Sequence, residues 1–370
     1  MKTVVFCHSL VSDWNSGHAH FIRGVVSELI ARGVDVIVYE PKDSWNAINL
    51  LEEYGQGALE GFKEAYPDLV SRSYDPATID LNKALSGADA VLVHEWNNLD
   101  LIRRIGEHHK TKGHYVLLFH DSHHRSAEEL EDAGKYDLRN YDGVLAFGNV
   151  VRDLYLNNGW IDQAWTWHEA ADTRLFHPIV SHKEGDLVWF GNWSDDERAI
   201  EIREFLIEPV KQLGIRAKVF GTNYPTEAVR ELERAGIEFG GWLPDYRVPE
   251  VFAKYRMTIH IPRRAYVRAL PGIPTVRMYE ALACAIPLIS TPWRDTERLF
   301  TKADFLGARN GEEMEAQISW VLHHEAAARE IASHGRRTVL ESHTCSHRAD
   351  EFLQIVDNAQ RDLIVRRESA

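Results

Sequence analysis

Residues 274–290 read PTVRMYEALACAIPLIS. The stretch predicts a helix over 276–284, opened by Pro274 and followed by a short apolar strand over 286–290. Proline suits a helix entrance because the amide hydrogen it lacks has no partner there anyway. One acid, Glu280, and one base, Arg277, interrupt an otherwise apolar helix. The preceding loop, Leu270-Pro271-Gly272-Ile273-Pro274, aims the free amide groups of the helix start at whatever lies in front. Thr275 and the residues after it therefore make a candidate anion site, with the Glu280 carboxylate one turn behind. The competing reading is a buried helix carrying a structural ion pair.

A helix feeding a short apolar strand is half of a repeating unit, and the unit recurs along the chain. In the same half, Leu187–Phe190, Ala217–Phe220 and Met257–Ile261 read as further strands. In the first half, Thr3–Cys7, Val34–Tyr39, Ala90–Val93, Tyr115–Phe119 and Val144–Phe147 do the same. Helical patterns lie between them. In the clearest, Phe21, Val25 and Leu29 share a face with Ile22, Val26 and Ile30, and Arg32-Gly33 closes the helix. Short apolar strands separated by amphipathic helices imply parallel sheets covered on both faces, an α/β doubly wound architecture.

The 370 residues suffice for about two such domains. We place the first at residues 1–178, joined by a C-terminal helix over 352–370, and the second at 179–351. The connecting segment, Trp167-His168-Glu169-Ala170-Ala171-Asp172-Thr173-Arg174-Leu175-Phe176-His177-Pro178, reads as an extended exit, a turn, an apolar anchor and a proline stop.

Composition narrows the partners. Lysine and arginine total 42 against 56 acids, a formal charge of −14, which argues against a nucleic-acid partner. Cys7, Cys284 and Cys345 lie far apart, as reduced thiols in a cytoplasmic protein would. Met1-Lys2 leads straight into a strand, and no apolar run approaches the roughly 20 residues that cross a bilayer. Peripheral membrane contact stays open. Trp14, Trp45 and Trp96 are candidates for a sugar or lipid platform, with packing as the commoner use of such residues.

In parallel sheets, ligands bind beyond the carboxyl ends of the strands. The exits here are polar: His8-Ser9-Leu10 with Ser12-Asp13-Trp14-Asn15-Ser16-Gly17-His18, then His94-Glu95-Trp96-Asn97, then His120-Asp121-Ser122-His123-His124-Arg125, then Gly148-Asn149. Four successive polar exits point to one cleft.

Several of these motifs carry a family resemblance. They are Asp13-Trp14-Asn15 with Gly17 and Ala19-His20-Phe21, Gly191-Asn192-Trp193, the run HIPRRAYVRALPGIPTVRMYEALACAIPLIS, and His343-Thr344-Cys345-Ser346-His347-Arg348. Together with the linker they resemble group 1 (family 4-like) glycosyltransferases of the GT-B fold, in particular the CgeB-like, spore-maturation type. The resemblance runs from residue 1 to about residue 355 and is most specific over 260–293 and 343–348. It implies two Rossmann-like domains facing across a cleft. It also implies transfer of a sugar from a nucleotide-diphosphate sugar to an acceptor (a glycan, lipid-linked molecule, protein or small molecule), with retention of configuration. Neither cofactor nor metal is implied, and no Asp-x-Asp metal motif occurs in the chain.

The resemblance assigns Glu280 to the ribose hydroxyls and the helix start at Thr275 to the diphosphate. Two departures matter. Relatives often carry a second glutamate at the position of Gly272, and a Gly-Arg pair with a later lysine where this chain has Gly191-Asn192. The positive partners of the diphosphate are then sought among Arg198, Arg263, Arg264, Arg268 and Arg277, because arginine binds phosphate bidentately. Gly17 offers a second close backbone approach. His120 is the candidate for orienting the sugar, with Asp121 and Asp13 as acceptor binders or bases. On this reading His120→Ala lowers kcat while sparing affinity for the free nucleotide. His343 and His347, four residues apart, are expected on one helix face in a structural role.

Two other functions compete. A metal-dependent hydrolase would use His18, His20, His94, His120, His123 and His124 with Asp121 or Glu95, although no HExxH or other regular ligand spacing is present. A non-catalytic nucleotide-sugar-binding protein would keep the fold and lack turnover, as the missing glutamate at Gly272 would allow.

Overall fold

The computed structural model describes residues 1–12, 14, 16–122 and 135–368. The chain divides into two units, Met1–Glu169 with Cys345–Ala370, and Ala170–Thr344.

The first unit is built on a parallel sheet of seven strands: β1 (Lys2–Phe6), β2 (Asp35–Pro41), β3 (Ser71–Tyr74), β4 (Ala90–His94), β5 (Val116–Asp121), β6 (Gly143–Ala146) and β7 (Ala164–Thr166). Their spatial order is β3-β2-β1-β4-β5-β6-β7. The central strands are buried along nearly their whole length, which is why they read as unbroken apolar runs. Register is continuous across the middle: Phe6 lies beside Val93, and His94 beside His120. The polar residues that follow these strands therefore emerge on one rim of the sheet.

Helix Gly17–Ala31 covers the sheet with Phe21, Ile22, Val25, Val26 and Leu29 buried. The C-terminal helix Cys345–Glu368 packs on it. Arg32 reaches Asp350 at 2.8 Å and the Ser346 hydroxyl at 2.8 Å, and the Trp167 indole donates to the Arg348 carbonyl at 3.0 Å.

The second unit repeats the plan with β8 (Gly185–Phe190), β9 (Ala217–Phe220), β10 (Ile237–Phe239), β11 (Tyr255–His260), β12 (Leu288–Ser290) and β13 (Leu306–Gly307). All are parallel, in the order β10-β9-β8-β11-β12-β13. The helix of the opening stretch runs Val276–Ala283 and is buried on nearly every side, packed on helix Glu325–Ser342.

His343 and His347 do not share a helix. Helix Glu325–Ser342 stops at Ser342, because Thr344 forms a parallel bridge with Ala171 and the His343 carbonyl accepts from the Ala171 amide at 3.0 Å. His347 lies on the next helix and in the other unit. No helix among the described residues is long and apolar enough to cross a membrane.

Candidate functional site

In the first unit the loop after β1 is fastened from below. The buried Glu40 carboxylate accepts from the Val11 amide at 3.2 Å, the Ser12 amide at 3.3 Å, the Ser12 hydroxyl and the Ser71 hydroxyl at 2.9 Å. Fully buried Arg23 donates to the Leu10 carbonyl at 2.5 Å and lies 4.7 Å over the Phe62 ring. Such buried charges persist only where hydrogen bonds replace their water. Asp13 lies outside the described residues, as do His123 and His124. Trp14 donates to Glu53 at 2.9 Å and meets Trp45 edge to face at 5.1 Å, while Trp45 and Trp96 stay exposed. Gly17 is the first residue of its helix, and the Ser16 side chain does not cap it.

Behind that loop the strand ends enclose three imidazoles. His18 comes from the helix start, His94 from the end of β4 and His120 from β5; one potential ligand atom from each lies within 4.8 Å of the others. The His18 and His94 rings stack with centroids 3.3 Å apart. The Ser122 hydroxyl bridges them, 2.9 Å from His18 Nδ1 and 2.8 Å from His94 Nε2. The Glu95 carboxylate lies 2.7 Å from His94 Nε2 and accepts from the Ser122 amide at 3.2 Å.

His120 is 0% exposed, against Trp167 and Phe21, and neither of its ring nitrogens has a hydrogen-bond partner among the described residues. Burial, with His94 adding to it, pushes its pKa well below the ordinary value, so the ring is neutral. A direct hydrogen bond from His120 to a sugar would require this packing to open. Asp121, equally buried, accepts from the Tyr155 hydroxyl at 2.9 Å.

In the second unit the strand exits converge on His260, at the end of β11. Its ring is held between the Ser290 hydroxyl, 2.9 Å from Nδ1, and the Thr275 hydroxyl, 3.1 Å from Nε2. Thr275 is the N-cap of helix Val276–Ala283, yet its side chain does not cap that helix. A threonine there ordinarily accepts from the amides one turn on. Here the hydroxyl is engaged by His260, so the first amides remain available to a ligand. Glu280, 1% exposed, sits one turn deeper and pairs with Arg277 at 2.9 Å. Arg277 in turn lies 5.6 Å over the Phe190 ring.

The other arginine candidates are each matched by an acid. Arg198 is buried on Trp189 and donates to Glu201 at 3.2 Å. Arg263 pairs with Asp195, Arg264 with Glu204 at 2.7 Å, and Arg268 with Glu197 at 2.9 Å. The Asn192 side-chain oxygen accepts from the Thr222 amide at 2.9 Å, and the Gly191 carbonyl accepts from the Tyr224 hydroxyl at 2.8 Å.

Gly272 occupies the left-handed region, φ +93°, and a Cβ there would meet Thr296 Oγ1 at 2.5 Å and Glu297 Cγ at 2.9 Å. No larger residue fits that backbone without rearrangement. Glu297 Oε1 already lies 3.0 Å from where that Cβ would be. A cavity of ≈ 170 Å³ lined in part by Lys183, Arg256 and Pro287 lies at the opposite, amino-terminal ends of these strands, away from the converging exits.

Nothing in the sequence around His260 assigns it a role. Its partners Thr275 and Ser290 lie 15 and 30 residues away, so spacing offered no signal. Burial and nearby Arg198 push its pKa down to about 3. The unfolded chain then binds a proton that the folded one refuses, so stability is present above pH ~6.5 and is lost as pH falls toward the folded value. Denaturant titrations at pH 6.5 and pH 5 should differ by about 2 kcal/mol from this residue, and His260→Gln should remove that part of the slope. An unchanged slope in the variant would contradict the neutral, buried ring.

Residues 198–354 match the family model described as glycosyl transferase-like. No curated protein matches the sequence. Three solved structures give the scale of the structural likeness. Anabaena HepE, in complex with UDP and glucose, has a TM-score of 0.68 at 13% identity, over 97% of this chain and 100% of that one. Sucrose-phosphate synthase from Thermosynechococcus elongatus scores 0.63 at 14% identity, over 98% and 99%. An alpha-glucosyltransferase bound to UDP and a 13-mer DNA scores 0.68 at 10% identity, over 96% and 99%. Likeness at this identity concerns the fold, and the fold of this chain is GT-B: two Rossmann-like domains, each on a parallel sheet.

Proposed function

We propose that the chain transfers a sugar from a nucleoside-diphosphate sugar to an acceptor, and that its second unit binds the donor. The observation that carries this reading is Thr275. Its hydroxyl is turned to His260, leaving an uncapped helix start with an enclosed carboxylate, Glu280, one turn behind it. The match of residues 198–354 to a glycosyl transferase-like model supports it.

In this mechanism the amides of Val276 and Arg277 and the positive helix end hold the diphosphate, stabilising the charge that grows as the glycosidic bond breaks. Glu280 accepts hydrogen bonds from the ribose hydroxyls. Arg263 and Arg268 exchange their exposed carboxylate partners for phosphate oxygens. Glu297 takes the place of the acid absent at Gly272. The experiment is direct: release of nucleoside diphosphate from UDP-glucose and related donors, measured with and without a panel of acceptors. Acceptor-dependent release is expected. Tight nucleotide binding without release would leave a binding protein.

We infer retention of configuration. The acceptor then approaches on the leaving-group side and a departing phosphate oxygen takes its proton, so no side-chain base is required. GT-B structures similar to this chain include both an alpha-glucosyltransferase and the T4 phage beta-glucosyltransferase, so the product must be measured. Proton NMR of fresh product should show an α-linkage from an α-donor. A β-linkage would require a true base, with Asp121 and Asp13 as the candidates.

No divalent ion is needed at the diphosphate in this scheme. Added Mg²⁺ or Mn²⁺ should change turnover by less than about twofold, where a bound Lewis acid would contribute several kcal/mol. The charge of −14 favours acceptors other than nucleic acid. The exposed Trp45, Ile48 and Leu51 support peripheral contact with a lipid surface, which vesicle co-sedimentation would detect.

A further inference from the structure

We propose that His18, His94 and His120 form a binding site for one divalent transition-metal ion of the zinc class, which fastens the helix start to the ends of β4 and β5. The proposal does not depend on the transfer reading and stands whether or not the chain moves sugars.

Three observations carry it. First, one potential ligand atom from each imidazole, brought by three separate segments, lies within 4.8 Å of the other two. Zinc–nitrogen bonds of about 2.0–2.1 Å place donor nitrogens roughly 3.3 Å apart around a tetrahedral ion, so side-chain shifts on the order of 1 Å complete the site.

Second, His120 is fully enclosed and neither ring nitrogen meets a hydrogen-bond partner among the described residues. Buried polar atoms left this way are uncommon and costly. A lone pair directed at a cation removes one such orphan.

Third, the surroundings match the charge. The Glu95 carboxylate, 0% exposed, lies 2.7 Å from His94 and supplies the negative charge that a dication among neutral imidazoles requires. The Ser122 hydroxyl, 2.9 Å from His18 and 2.8 Å from His94, orients both rings. Imidazole nitrogen with a single carboxylate suits zinc, whereas magnesium and calcium prefer oxygen cages.

The three histidines and the Glu95 carboxylate beside them are buried, and a structural ion here takes its fourth ligand from Glu95 or a water. Their sequence separations, 76 residues and 26 residues, hide the set from any spacing rule.

The test uses the full chain without a histidine tag. Plasma mass spectrometry should find about one equivalent of zinc-class metal per chain. Cobalt loaded into stripped protein should show visible bands of a tetrahedral site, and one equivalent of zinc should raise Tm. His18→Ala and His94→Ala should each lose metal affinity by at least about tenfold, while His114→Ala and His182→Ala, at exposed positions, keep it. Metal near zero in the wild type, with no cobalt bands and no Tm shift, would overturn the proposal. Metal retained equally by both site variants would do the same. If those variants fail to fold, the wild-type stoichiometry and cobalt spectrum still decide.

Discussion

Glu280→Ala is expected to weaken binding of a nucleoside diphosphate by about 1.5–3 kcal/mol, the range for a lost charge-assisted hydrogen bond. The carboxylate is 1% exposed and held by Arg277 at 2.9 Å, so its position is set before any ligand arrives. Pre-set acceptors lose little entropy on binding, which makes the loss fall on affinity. Arg277 is partly exposed and turns to water once the carboxylate is gone, so the fold should tolerate the change. Glu280→Gln keeps the shape and removes the charge, separating packing from hydrogen bonding. Calorimetry on folded variants makes the measurement. Unchanged affinity would remove Glu280 from the ribose.

Arg198→Ala is expected to destabilise the second unit by about 3 kcal/mol, at the low end for breaking a buried ion pair. Its partner Glu201 is 2% exposed and would be left buried, with Arg264 at 3.6 Å as a weaker substitute. Burial already raises the Glu201 pKa. Its pairing with Arg198, by contrast, favours the charged form, so the variant's remaining acid should take up protons at higher pH than the wild type. The pair also has a ligand-side reading, because Arg198 is one of the candidate diphosphate partners. Replacing both residues by apolar ones of similar volume distinguishes the two, since such replacements often restore stability. A stable double variant that binds nucleotide normally assigns Arg198 to the fold. One that is stable but does not bind assigns it to the donor. Denaturant unfolding beside calorimetry reads both, and a wild-type midpoint for Arg198→Ala would contradict the buried-pair account.

The central strands of both sheets were legible in the sequence because burial on both faces writes an unbroken apolar run. The strands without such a signal are the four edges: β3 (SRSY), β7 (AWT), β10 (IEF) and β13 (LG). An edge strand is short and half-solvated, so its residues carry no such run. The helix over 276–283 was legible for a different reason: proline and glycine before it and a cationic and an acidic residue within an apolar stripe are local signals.

The donor side of the site is legible where it is local. Thr275, Arg277 and Glu280 fall within six residues. His18, His94 and His120 could be grouped in the sequence as polar strand exits, but that these three meet, like the pairing of His260 with Ser290, is decided by the sheet. Gly272 shows the converse case. A departure from the pattern of the glycosyltransferases it resembles was visible in the sequence, but its physical cause, a backbone at φ +93° pressed against Thr296 and Glu297, belongs to the tertiary structure.

On the proposed function, a nucleoside diphosphate sits on the helix start at Thr275. Hydrogen exchange of the full chain with and without UDP reads this placement. Added protection is expected in peptides covering residues 270–281, reduced in Glu280→Ala, with the opposite ends of the same strands near Lys183 and Arg256 unchanged. Protection confined to any other region, or none at saturating UDP, would contradict it.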